Sequence, residues 1–242
     1  MLTATSLGPV SLRAATFNIR HGSRTSQRGN RRRLRTAVQM LDVDVLGLQE
    51  VDRFHPRSGL ADQVKVARRA LRADGSAFAF ARWHWGGRYG NALVVRGQVI
   101  DHETVPLPRS PRTERRVALV ALVDVKGVRA SVVVAHLHND DTPTARRQLD
   151  FVIEQLTALP RPWMFLADVN LDRDRLEPVM RAAGLDLPPV TLTVPWQTPR
   201  RQIDCVAVAG LDIVGAHAPL TPTSDHRPIV VELMTRTDAR TR

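Results

Sequence analysis

Along this chain, short runs that are almost wholly apolar alternate with stretches whose apolar residues return every three or four positions. The first pattern reads as strands buried in a sheet, the second as helices with one buried face. Residues 12–19 (LRAATFNI) form a first predicted strand, followed by a polar loop rich in glycine and arginine from Arg20 to Gly29. Asn30 is a good N-cap for a helix in which Leu34, Ala37, Val38 and Leu41 share a face, ending near Asp42. The strand DVLGLQ comes next and delivers Glu50. A second helix is expected over 60–72, and short strands over 77–80 and 92–95. Two strand-like runs, 117–125 and 129–135, are joined by Lys126-Gly127, a hairpin signal.

Pro143 opens a third predicted helix, whose apolar residues Leu149, Val152, Ile153 and Leu156 share a face, and Pro160 and Pro162 close it. The strand from Trp163 to Ala167 delivers Asp168. Asp172 is placed to cap a helix carrying Leu176, Val179, Met180 and Ala183, with Gly184 as its stop. Strands return over 203–209, 211–216 and 228–234. Mixing hairpins with strand-helix-strand units predicts an α/β (α+β) fold: two mixed β-sheets packed face to face with helices outside. No internal repeat is evident. Residues 1–11 read as an N-terminal extension, 12–235 as one domain and 236–242 as a disordered tail.

Composition narrows the classes. The chain has 242 residues and no linker-like stretch, which favours one substantial core. No apolar run approaches the roughly 20 residues that span a bilayer, and the first dozen residues lack the pattern of a signal peptide. A cytoplasmic protein is expected, most simply a monomer. The single cysteine, Cys205, excludes an intramolecular disulfide and a zinc site built from several cysteines. A formal charge of +11 points to an anionic partner. Of its 35 basic residues only Lys65 and Lys126 are lysines, so a GC-rich coding sequence explains the bias about as well as phosphate contacts do.

Four short segments each end a predicted strand on groups suited to a metal ion or a phosphate: Asn18, Glu50, Asp168 with Asn170, and Asp225 with His226. Strand ends converge at the mouth of a fold even when far apart in sequence. Asp204 interrupts an otherwise apolar strand, and a carboxylate there needs a buried partner, for which His226 is the obvious candidate. Each residue has a bland alternative. Asn18 would merely cap a turn, Glu50 would be a solvated strand end, and Asp168 with Asn170 would form an Asx-turn.

TFNIRHG, DVLGLQEVD, RYGNALVVR, AHLHND followed by RRQL, LADVNLD, RQIDCVAV and SDHRPIVVEL occur in the order and approximate spacing of the endonuclease/exonuclease/phosphatase superfamily. The chain resembles its small bacterial metal-dependent hydrolases over nearly its whole length. The resemblance implies a deoxyribonuclease I-like four-layer sandwich and a magnesium- or manganese-dependent hydrolase of phosphate esters. It implies metal contacts at Asn18, Glu50 and Asp225. Asp168 would orient or deprotonate the attacking water, and Asn170 would hold a phosphate oxygen. His226 would be the catalytic histidine, oriented by Asp204, while His136 would contact the scissile phosphate and His138 would support from behind. The family's Gly-Asp-Phe-Asn reads Ala167, Asp168, Val169, Asn170 here, and the usual threonine before the histidine is Ala135. The only tyrosine, Tyr89, lies in the RYGN block, so the tyrosine typical of apurinic endonucleases has no evident counterpart.

Basic and aromatic loops point to the substrate. Arg20, His21, Arg24 and Arg28 follow the first strand, and Arg88, Asn91, Arg115 and Arg116 join Arg20 and His21 as expected substrate contacts. In RWHWGGR, Trp83 and Trp85 suit base stacking or a lipid interface, but packing at a sheet edge is the plainer expectation. No exposed apolar hairpin of a lipid enzyme is obvious. The expected substrate is nucleic acid, cleaved by a nuclease or other phosphodiesterase. A phosphatase or sphingomyelinase-like lipid phosphodiesterase is the alternative, and a non-catalytic nucleic-acid-binding module the second alternative.

Overall fold

The computed structural model describes residues 8–23, 29–111, 113–139, 141–221 and 223–236. Six strands form one sheet: β1 (Ser11–Asn18), β2 (Val45–Arg53), β3 (Gly75–His84), β4 (Gly87–Val95), β10 (Leu211–His217) and β11 (Ile229–Thr235). Their order is β10-β11-β1-β2-β4-β3, and only β1 and β2 run parallel. The second sheet holds β5 (Gln98–Pro106), β6 (Val117–Val125), β7 (Val128–His136), β8 (Trp163–Asp168) and β9 (Asp204–Ala209), in that order, with β7 and β8 parallel. Alternate residues of the two sheets interdigitate in a dry middle layer that includes Leu93, Leu119, Val132, Leu166 and Val231.

Helices α1 (Arg31–Leu41) and α2 (Gln63–Leu71) cover the outer face of the first sheet, and α3 (Thr142–Thr157) and α4 (Arg173–Ala182) that of the second. The result is the expected four-layer sandwich. The buried faces are those the periodicity predicts: Leu34, Ala37, Val38 and Leu41 on α1, and Leu149, Val152, Ile153 and Leu156 on α3. Asn30 caps α1 by accepting the Arg33 N–H at 2.9 Å.

Several boundaries differ for physical reasons. α2 begins at Gln63 rather than Leu60, because Leu60 has φ +56° and Asp62 takes the capping position, accepting from the Lys65 N–H. Asp172 occupies the N-cap position of α4 but makes no cap bond, since its carboxylate accepts from Arg201 Nε at 2.9 Å. β5 escapes the hydrophobic reading because it is a polar, exposed edge strand. Arg236, expected in the tail, pairs with Asp212 and Asp186, while 237–242 lie outside the described residues, as do Arg24 and Arg28.

β2 runs three residues past Glu50, which therefore sits inside the strand and not at its end. The register with β4 shifts between Leu48 and Val51, and Glu50 has φ +55°. This bulge re-aims one side chain out of the alternation. Beneath it the sheets nearly touch: a Cβ on Gly47 would lie 2.8 Å from Leu166 Cβ.

Candidate active site

Asn18 ends β1 and Asp168 ends β8, each a parallel strand in its own sheet, so both arrive at the same edge of the sandwich. Asn18 Nδ2 donates to Glu50 Oε1 at 3.0 Å and to Asp168 Oδ2 at 2.8 Å, tying the two sheets together across the mouth. Its Oδ1 accepts the Arg20 N–H at 2.9 Å, so it caps the following turn as well. Asp168 likewise accepts the Asn170 N–H at 3.2 Å in an Asx-turn, and Asn170 Nδ2 donates to the Leu137 carbonyl. The bland readings of both residues hold, and the bridging contacts exist beside them.

Asp204 opens β9 directly opposite Asp168 in the antiparallel register; Asp204 is fully buried and Asp168 all but buried, with 1% of its surface open. Asp204 Oδ2 accepts from His226 Nδ1 at 2.9 Å. Burial works against a charge on His226, but Asp204, helped by Asp168 and Asp225, raises its pKa to about 10. The ring is an imidazolium at neutral pH, with Nε2 lying 3.9 Å from Asp168 Oδ2. Burial is also the largest influence on Asp168, and with Asp204 next to it the carboxyl is pushed up to about 7.

His136, at the end of β7, approaches from the other side, with Nε2 3.5 Å from Asp168 Oδ2. Its Nδ1 lies 2.7 Å from Arg116 Nη1. A guanidinium only donates, so Nδ1 accepts and the ring proton sits on Nε2. Burial, then the Arg116 charge, holds the His136 pKa well below its ordinary value, and the ring is neutral. Arg116 is itself buried and bound by Glu114 Oε2 at 3.2 Å.

Asp225 is half-buried and pairs with Arg20 at 2.6 Å. Other expected contacts are placed elsewhere. Asn91 is buried, with its Nδ2 donating to the Val117 carbonyl between the sheets. Arg88 and Arg115 are exposed outside the acid cluster. His21 is buried in the 3-10 turn after β1, its carbonyl accepting from Gln63 Nε2 at 2.7 Å. His138 is buried, its Nδ1 without a hydrogen bond among the described residues.

Sequence reasoning passed over three supports. Ser224 Oγ donates to the Asn18 carbonyl at 2.6 Å and accepts the His226 N–H at 3.1 Å, fixing the histidine loop to β1. Gln49 Nε2 reaches Thr16 Oγ1 and the Leu166 carbonyl under the bulge. Glu114 anchors Arg116 and Arg82. Ser224 and Gln49 lay within the motifs already singled out, whereas Glu114 gave no local signal.

A search of curated protein sequences finds no significant match. Among solved structures, an endonuclease/exonuclease/phosphatase from Beutenbergia cavernae has a TM-score of 0.79 at 22% identity, covering 93% of this chain and 72% of its own. A mannosyl-6-phosphatase from Bacteroides thetaiotaomicron has a TM-score of 0.72 at 17% identity, covering 92% and 99%. The 2′,3′-cyclic phosphatase ANGEL2 has a TM-score of 0.70 at 13% identity, covering 93% and 95%. At these identities the likeness establishes the fold. The family model described as Endonuclease/Exonuclease/phosphatase family matches residues 15–226, a span that runs from the strand delivering Asn18 to His226 itself. The chain therefore belongs to the endonuclease/exonuclease/phosphatase family and is one of its phosphoester hydrolases.

Proposed function

We propose that this enzyme is a magnesium- or manganese-dependent phosphodiesterase that cleaves nucleic acid. The observation that carries the reading is the opposed arrangement at Asp168. A neutral histidine with its proton on Nε2 and an imidazolium held by Asp204 approach one buried carboxylate from two sides. Two ring N–H donors, one neutral and one cationic, on either side of a carboxylate that can take a proton from water are what phosphoester hydrolysis uses.

The residues fit a hard divalent ion. Glu50, Asn18 and Asp225 carry oxygen donors of the type it takes, with Glu50 the least committed of them, since Asn18 Oδ1 accepts from the Arg20 N–H and Asp225 pairs with the Arg20 guanidinium. The strained bulge aims Glu50 at the mouth, where Oε1 accepts from the Asn18 amide at 3.0 Å. Asp168, Asp204 and His226 also place ligand atoms within 4.8 Å of one another. That trio is the poorer choice, because an imidazolium has no lone pair for a metal and Asp204 is already committed to it. When bound at Glu50, the ion would neutralise phosphate charge and stabilise the leaving oxygen.

The chain's own groups supply the rest. Asp168 orients the water and accepts its proton as the water oxygen bonds phosphorus and the ester P–O bond breaks. The leaving oxygen takes its proton from solvent at the open mouth. His136 Nε2–H and the His226 imidazolium donate to phosphate oxygens, and Asn170 offers its second amide N–H. Acid-base help of this kind contributes about 10²–10⁴ in rate.

Magnesium- or manganese-dependent nicking of supercoiled plasmid tests the reading, with Asp168→Ala and an EDTA blank as controls. Nicking lost in both controls is expected; persistent nicking by Asp168→Ala would assign it to a contaminant. A second reading, a phosphatase for small phosphoesters, draws on the two structural neighbours named as phosphatases. Hydrolysis of p-nitrophenyl phosphate without any nicking would favour it.

A further inference from the structure

The β3–β4 hairpin ends in a two-residue loop, Trp85-Gly86, both in left-handed backbone with φ +44° and +78°. Such a turn normally takes Asn, Asp or Gly first, because a side chain there is strained. Lys126-Gly127, a loop of the same kind, also carries a strained side chain first, but there Lys126 Nζ donates to Asp44 Oδ2 at 2.8 Å and to the Ser11 carbonyl at 3.1 Å. A tryptophan at the strained position gains nothing from burial: Trp85 is 83% exposed and Trp83, two residues before it, 63%. Trp83 keeps part of the expected sheet-edge packing, edge-on to Phe80 with ring centroids 5.5 Å apart on the edge strand β3, whereas Trp85 lies in the loop beyond that strand. Strain and exposed aromatic surface together point to a binding role rather than a folding one.

The tip is held rigidly. His84 Nδ1 lies 2.8 Å from His55 Nε2 with the rings stacked at 4.8 Å, and a Cβ on Gly87 would come within 2.5 Å of His55 Cα. Arg88 spreads over one face of Trp83 at 5.4 Å, leaving an aromatic plane backed by a cation. The hairpin also lies at the catalytic end of the sheet. Arg88 pairs with Arg53, three residues or about 10 Å of strand beyond Glu50. Directly after Arg53, Phe54, 53% exposed, lines a groove of about 660 Å³ with Arg31, Arg32, Arg35 and Lys65.

We propose that this hairpin is a stacking platform for single-stranded nucleic acid, with bases lying on Trp83, Trp85 and Phe54 and phosphates meeting Arg88 and the arginines of the α1 groove. This deepens the nuclease reading, on which it rests. Separate aromatic planes interleaved with guanidinium groups match the alternation of base and phosphate along a single strand. A lipid surface would instead call for one continuous apolar patch, and here arginines and a histidine interrupt it.

The test is binding of a fluorescein-labelled oligothymidylate in EDTA, read by anisotropy for the wild type and for Trp83→Ala with Trp85→Ala, beside quenching of the wild-type tryptophan fluorescence. Hydrolysis of bis(p-nitrophenyl) phosphate with magnesium is measured beside it. Binding by the wild type, weakened at least tenfold in the double variant with small-ester hydrolysis within twofold of wild type, supports the platform. Equal binding by both proteins would overturn it, as would quenching by phosphatidylserine vesicles and not by the oligonucleotide. Failure of small-ester hydrolysis in the wild type would instead strike the catalytic reading, and the oligonucleotide titration would still decide the hairpin. Arg88→Ala, which leaves both tryptophans in place, is expected to weaken oligonucleotide binding.

Discussion

Asp204 holds His226 charged inside the protein, and this gives stability a pH dependence of definite sign. The folded pKa of His226, about 10, lies above its ordinary value. The pair's contribution is therefore complete below about pH 6.5 and is lost as pH rises through about 10. Asp204→Asn is expected to cost about 1.5–3 kcal/mol at pH 6, the usual value of a hydrogen bond to a charged group. Its deficit against wild type should shrink toward pH 10. Urea unfolding of the metal-free proteins over this range measures it, with the seven other histidines and Asp168, pushed up to about 7, titrating at its lower end and the two lysines, the tyrosine and the cysteine nearer its upper end. A constant deficit would mean that Asp204 does not act through the imidazolium. His136 depends on a neighbour in the opposite sense. Arg116 fixes its tautomer, so Arg116→Lys, with a point charge in place of a fork, should lower kcat about 10²-fold with KM little changed. The ¹⁵N shifts of His136 would show the tautomer mixing, which a purely structural loss would not produce.

At the scale of the element, the bulge in β2 is the feature that builds the site. A non-glycine residue in left-handed backbone stores about 1–3 kcal/mol, and at Glu50 that strain accompanies a carboxylate turned to the mouth. Glu50→Gly should therefore be more stable than Glu50→Ala by about 1 kcal/mol, and magnesium or manganese is expected to raise the Tm of the wild type and of neither variant. Thermal melts with and without the ion separate the two effects; equal melting points for the variants would remove the strain argument. This bulge also marks where the sequence stopped being legible. LGLQ announces a buried strand, but nothing in LQEV says that register slips at Glu50 or that the strand continues to Arg53. Helix faces such as that of α3 were readable because one periodicity decides them. β5 was not, since an edge strand exposed to water needs no apolar alternation. Asp204 stood out because it broke an apolar run. The Arg116–His136 and Asn18–Asp168 contacts join segments far apart in sequence, and only the packing of two sheets brings them together.

For the whole molecule the open question is what a net charge of +11 is for. Many arginines are spent internally: Arg57 on Asp52, Arg116 on Glu114 and His136, Arg20 on Asp225. The exposed set on α1 and the β3–β4 hairpin is the part that can meet a polyanion. If those cations neutralise phosphates, association with a single strand releases counterions, and log kcat/KM for an oligonucleotide should fall linearly with log salt by about 0.7 per phosphate contacted. Bis(p-nitrophenyl) phosphate, with one charge to offer, should show a much shallower dependence over the same range. Arg88→Ala should reduce the oligonucleotide slope by about one phosphate's worth and leave the small-ester slope unchanged. Identical slopes for both substrates would detach the surface charge from substrate capture. It would then reflect composition, and the acids and histidines at the mouth would have to select their phosphoester without help from the rim.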